Sequence, residues 1–133
     1  MQELIQAALK VREHAYAPYS GFKVGAAILA KNGEIYTGCN VENASYGLTV
    51  CAERVAVNKA ISDGVRDFQG IAIVTDARKP ASPCGACRQV LAEFSPQMPV
   101  YLANIQGKVC KLSLEELLPD AFTPQRLRED IHL

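Results

Sequence analysis

Cys84 and Cys87 stand at C-x-x-C spacing in the stretch SPCGACRQV (82–90). A pair at this spacing can hold a metal, exchange electrons as a dithiol or anchor haem. Haem attachment needs His directly after the second cysteine, and Arg88 follows here. The dithiol reading stays open for the pair alone and weakens beside Cys51, which also falls at a predicted helix start. Helix starts offer free N–H groups and a positive dipole end, which favour thiolates, the form that ligates metal. Three thiolates with one open position match a catalytic zinc site better than a structural one, which four protein ligands usually close. Cys39 or Cys110 could close the site, but each lies in a predicted strand with no ligand partner at short spacing. A lone cysteine there is most often a small buried hydrophobe.

Glu53 follows in CAER (51–54). Taken alone it reads as an acidic residue complementing a helix dipole. Beside three candidate ligands it becomes the carboxylate that can take a proton from a metal-activated water and pass it on. Arg54 carries a separate argument. Zinc with three thiolates has a net charge of −1, and a guanidinium hydrogen-bonded to the sulfurs would withdraw part of it. Arg54 fits that role first and Arg88 second; the competing reading is a solvent-facing helix arginine. His14 and His132 have no partner at ligand spacing and read as a helix-surface and a tail residue.

Other features bound the elements that must position these groups. The chain has 133 residues, 49% of them hydrophobic, with fourteen basic and fourteen acidic side chains. This is the length and composition of one soluble domain, 1–133. The charge balance argues against a nucleic-acid partner, which is held mainly through phosphate neutralisation. No stretch approaches a membrane span and the N-terminus carries charges throughout, so a cytoplasmic location is expected, where thiols stay reduced. Apolar periodicity predicts a helix over 2–16, a hairpin with strands 23–30 and 34–39 around Asn32-Gly33, and a loop over 40–49. A helix over 51–64, a strand over 70–76, a helix over 85–95 and strands over 100–105 and 108–112 follow. Ser113 and Glu116 form a capping-box pattern for a short last helix. The order αββαβαββα implies an α/β three-layer sandwich, a mixed sheet of about five strands covered by helices. Strands separated by a helix, 34–39 with 70–76 and 70–76 with 100–105, are expected to form parallel pairs.

The order C-x-E … P-C-x-x-C is close to that of the zinc deaminases, with Cys51 where His is common. The segments YSGFKVGAA (19–27), GCNVENASYG (38–47), TVCAERVA (49–56) and SPCGACRQV (82–90) resemble, in order and over most of the chain, the small homotetrameric cytidine deaminases.

That resemblance implies one zinc ion per chain held by Cys51, Cys84 and Cys87, with Glu53 as proton shuttle. It implies that Asn40 and Glu42 hydrogen-bond the ribose hydroxyls and that Phe22 and Ala52 contribute to the substrate pocket. For Phe22 a core position beside a turn competes. Residues matching Ala44, Tyr46 and Phe122 are expected to reach a neighbouring subunit's site; for Phe122 local packing of the tail competes. The backbone around Ser82 and Cys84 is expected to meet the reacting end of the substrate. The implied reaction is hydrolytic deamination of cytidine and 2′-deoxycytidine to the uridine products, as in pyrimidine salvage or catabolism. The partners would be a small nucleoside and identical subunits. Rival readings are a deaminase of another aminopyrimidine nucleoside, such as a nucleoside antibiotic, and a non-enzymatic zinc-binding module.

Overall fold

Leu4, Ile5 and Ala8 form the buried stripe of the first helix, α1 (Gln2–Arg12), in a computed structural model that describes residues 1–131. His132 lies outside the described residues. Glu3 in the first turn and Lys10 and Arg12 in the last complement the helix dipole. The helix stops short of the expected residue 16. Pro18 disfavours helical geometry at Ala17, and Tyr16 is drawn into a bridge with Val41. There the Tyr16 N–H donates to the Asn40 carbonyl and the Tyr16 carbonyl accepts from the Glu42 N–H.

The hairpin follows as β1 (Val24–Ala30) and β2 (Ile35–Cys39), with Gly33 at φ 91° in its turn. After a loop containing a single 3₁₀ turn at Tyr46–Leu48 come α2 (Ala52–Ser62), β3 (Phe68–Thr75), α3 (Gly85–Phe94), β4 (Pro99–Asn104) and β5 (Val109–Ser113). The capping box forms as expected at α4 (Leu114–Leu117): Ser113 Oγ accepts from the Glu116 N–H, and the Glu116 carboxylate accepts from the Ser113 N–H. A further helix, α5 (Pro124–Ile131), extends the predicted order. Its signals stand in the sequence: Thr123 Oγ1 accepts from the Arg126 N–H, and Pro124 occupies the first helical position, where no N–H is needed.

The sheet runs β2-β1-β3-β4-β5. β3 and β4 are the expected parallel pair, Ile71 opposite Val100. The expected pairing of β2 with β3 does not occur: β1 lies between them, antiparallel to both. The cause is composition. VGAAILA is apolar almost throughout and is buried on both faces, whereas IYTGC is polar enough for an edge.

Alternation along the strands divides the core. Ala27, Ala72, Val74 and Ala103 face α1, while Ala26, Ile28, Ile71, Ile73, Val100 and Leu102 pack with Ala52, Ala56, Val57 and Leu91 of α2 and α3. Three layers result, with α1 on one face and α2 and α3 on the other. The helices approach closely at two glycines. A Cβ on Gly25 would stand 2.0 Å from the Ala8 carbonyl, and one on Gly38 would stand 2.5 Å from the Ala56 nitrogen.

Candidate active site

The two helix starts on the α2–α3 face bring the cysteines together. Cys51 caps α2 and Cys84 caps α3, each with extended backbone (φ −71°, ψ 153° and φ −66°, ψ 166°), and neither side chain is spent on a capping bond. Cys87 lies in the first turn of α3, fully buried. Cys51 Sγ is 3.9 Å from Cys84 Sγ, Cys84 Sγ is 3.4 Å from Cys87 Sγ, and all three sulfurs fall within 4.8 Å of one another. Sulfurs bound to one tetrahedral zinc at about 2.3 Å stand about 3.8 Å apart, so this triangle fits the ion. Cys39 in β2 and Cys110 in β5 lie outside the cluster. The three sulfurs are therefore the only such donor group among the described residues, and no fourth cysteine closes it.

Electrostatics favour the thiolate at Cys51. Cys51 is pulled down to about 5, first by the Cys87 thiol that donates to it and then by Arg54; the same contact pushes Cys87 up. Arg54 Nη2 donates to Cys51 Sγ at 3.5 Å, and this contact raises the arginine in turn. Arg88 does not share the task. Its Nε donates to the Pro83 carbonyl at 2.8 Å and its Nη1 to the Leu117 carbonyl at 2.7 Å, tying α3 to the end of α4.

Glu53, only 5% exposed, is held in the first turn of α2. Burial raises its pKa, and the charge on Cys51 adds to the effect. A carboxyl raised in this way is suited to hold a proton and release it.

These groups line a cavity of about 300 Å³, at the lower end of the range for small-molecule sites. Cys51, Cys84, Ala52 and Glu53 line it together, Ala52 and Glu53 buried; Phe22, Val24, Ile73 and Thr75 supply apolar and packed walls; Ser20, Asn40, Glu42 and Thr49 supply polar groups. Phe22 is 38% exposed, so it faces the cavity instead of the core. Ser82 and Ala81 also line the cavity, next to Cys84.

Asn40 and Glu42 have structural partners that their sequence positions did not reveal. Asn40 Nδ2 donates to the Phe22 carbonyl at 2.8 Å, and its Oδ1 accepts from the Val24 N–H at 2.9 Å. Glu42 accepts from the N–H groups of Tyr19 and Ser20 and from the Ser20 hydroxyl, which hold its carboxyl below the usual range, the hydroxyl foremost. Ser20 Oγ in turn accepts from the Phe22 N–H at 3.0 Å. Thr75, Ile73 and Val24 were hidden in strand patterns; only the end position of Thr75 in an otherwise apolar run marks it.

Three expected residues are not in the cavity of their own chain. Ala44 and Tyr46 lie on an exposed loop, where Tyr46 is 75% exposed and meets Tyr19 edge-on. Phe122 is 56% exposed, and its carbonyl accepts from Gln89 Nε2 at 2.8 Å. His14 is exposed. No helix among the described residues is long and apolar enough to cross a membrane.

A thiol triad at two helix starts, with a buried carboxyl and a small polar-rimmed cavity beside it, defines a metal-dependent enzyme site on a mixed α/β sheet. Comparison with known proteins specifies the class further. Residues 1–103 match the family model described as the cytidine and deoxycytidylate deaminase zinc-binding region, and the chain belongs to this deaminase family, with zinc as its metal. A cytidine deaminase of Sporosarcina psychrophila is 54% identical over 96% of this chain and 94% of its own. The crystal structure of a cytidine deaminase from Burkholderia pseudomallei superposes with a TM-score of 0.89 at 53% identity, covering 91% of this chain and 98% of its own. A blasticidin-S deaminase of Bacillus cereus is 37% identical over 75% of this chain and 76% of its own.

Proposed function

We propose that this chain deaminates cytidine and 2′-deoxycytidine hydrolytically, releasing ammonia and the uridine products. The observation that carries the reading is the buried carboxyl of Glu53 in the lining of the cavity, in the helix turn that follows Cys51 of the sulfur cluster. Cys51, Cys84 and Cys87 would hold the zinc, whose chemistry when bound is to make a water nucleophilic near neutral pH. Glu53 would take one proton from that water and deliver it to ring N3 as the oxygen bonds to C4. It would then take the second proton from the same oxygen and deliver it to the amino group, which leaves as ammonia when the C4–N bond breaks. Its burial keeps bulk water from short-circuiting these transfers. Arg54 offsets the excess charge of the thiolates. Phe22 lies against the pyrimidine ring with Ala52, and Asn40 and Glu42 receive the sugar hydroxyls with the hydrogen-bonding capacity their structural bonds leave unused.

A free nucleoside, not a nucleic acid, is the substrate, in keeping with a balanced charge and a small cavity. The active form is a homotetramer in which Ala44, Tyr46 and Phe122 reach a neighbour's site, which accounts for their exposure on the isolated chain. A cytoplasmic location follows from reduced thiols. Incubation with cytidine, read by the absorbance change on conversion to uridine and by ammonia release, tests the proposal. Zinc binding without ammonia would leave only a binding module, and turnover confined to another aminopyrimidine nucleoside would move the substrate.

A further inference from the structure

We propose that Arg12, in the last turn of α1, is a positioning residue for the cavity, resting on the assignment of that cavity as the deaminase site. Arg12 does not line the cavity. It belongs to the helix on the sheet face opposite α2 and α3, with its side chain 11% exposed, on the helix turn that presses against Gly25. Its guanidinium bridges two segments that do reach the site. Nε donates to the Lys23 carbonyl at 3.1 Å, and Nη2 pairs with Asp76 Oδ2 at 3.4 Å. A looser pair with Glu13, at 3.6 Å on the same helix, faces solvent.

The Lys23 carbonyl belongs to the peptide unit whose N–H, that of Val24, is held by Asn40 Oδ1. This one peptide is therefore gripped from opposite sides, by Arg12 outside the cavity and by Asn40 inside it. Phe22 is the residue immediately before, and its own carbonyl is held by Asn40 Nδ2. Asp76 directly follows Thr75, a wall of the cavity, and opens the irregular segment that runs to Cys84. Side-chain bonds also hold this segment's backbone at three other points: Thr75 Oγ1 accepts from the Ala77 N–H, Asn104 Nδ2 donates to the Arg78 carbonyl and Arg88 Nε donates to the Pro83 carbonyl. A largely buried guanidinium that is hydrogen-bonded to one segment and ion-paired with the other ties the two together. Arg12 thus sets the distance between the Phe22 wall and the segment leading to Cys84, which is the width available to a ring.

Arg12→Lys tests this, because lysine keeps the charge and helix propensity but has one donor group and cannot meet both partners. The expected result is faster amide hydrogen exchange confined to residues 19–24 and 76–81, with β3 and β4 unchanged. In cytidine turnover KM should rise about fivefold to tenfold while kcat and zinc content stay within about twofold, the pattern of lost binding without lost chemistry. Asp76→Asn, which leaves the Lys23 bond intact, should loosen only 76–81. Wild-type exchange in both segments of Arg12→Lys would overturn the proposal, as would exchange raised uniformly through the sheet, which would make Arg12 a general stabiliser. Should the wild-type protein fail to deaminate cytidine, the exchange measurement still decides the role of Arg12, and the functional reading alone falls.

Discussion

Arg54 Nη2 donates to Cys51 Sγ at 3.5 Å from one turn further along α2, and the buried Nε of the same guanidinium has no hydrogen-bond partner among the described residues. A buried, unpaired N–H is costly unless something nearby carries negative charge. Thiolates holding the proposed zinc would supply that charge. Arg54→Ala should therefore lower zinc affinity or turnover about 10–100-fold, the usual cost of losing a group that supports a metal ligand. Zinc titration against a chromogenic chelator, with cytidine turnover, reads both; wild-type values in each would return Arg54 to a structural role.

Cysteine substitutions should divide sharply. Cys84→Ala should lose zinc and activity together, whereas Cys39→Ala and Cys110→Ala, outside the sulfur triangle, should keep both. Metal analysis should give one zinc per chain for the wild type. Turnover retained by Cys84→Ala would falsify the ligand set.

Glu53→Gln separates proton transfer from metal binding. Glutamine nearly preserves the shape of the buried side chain and leaves all three sulfurs in place. It cannot accept and return a proton. General acid–base catalysis contributes about 10²–10⁴-fold, and a group used at several steps belongs at the upper end. Turnover should nearly vanish with zinc content and cytidine binding kept. Retention of about a tenth of wild-type turnover or more would give the shuttle to another group.

Phe122→Ala should raise KM for cytidine in a protein that remains tetrameric by light scattering, if the exposed ring closes a neighbour's pocket. A fully active monomer removes the shared site and leaves the chemistry at Glu53 untouched.

The part of the site that was legible in the sequence is the part fixed by helix starts. Cys51, Glu53, Cys84 and Cys87 each sit within a turn of a predictable boundary, so their convergence followed from two helices on one face of a sheet. The bonds of Asn40 and Glu42 were not legible, because they join a loop near residue 40 to another near residue 20 and depend on the fold that closes that distance. Of the strand pairing, the hairpin and the β3–β4 pair were readable. The insertion of β1 between β2 and β3 is signalled only by the apolar run Gly25–Ala30, because hairpin spacing alone does not say which of its two strands is buried on both faces. α5 is hard to predict because it is short and mostly polar, with only Leu127 and Ile131 at helical spacing, although Thr123-Pro124 marks its start.

The two glycines at the helix–sheet contacts make the molecule's tolerance to mutation very uneven. Gly85, between the paired cysteines, looks indispensable on paper, yet a Cβ there meets nothing within 4 Å. Gly38, which does not line the cavity, would drive a methyl to within 2.6 Å of the Ala52 carbonyl as well as onto the Ala56 nitrogen. Helix α2 could make room only by lifting off the sheet, and Cys51, Glu53 and Arg54 would travel with it. A library selected for activity should therefore accept side chains at the residue inside the motif and reject them at the one beneath the helix.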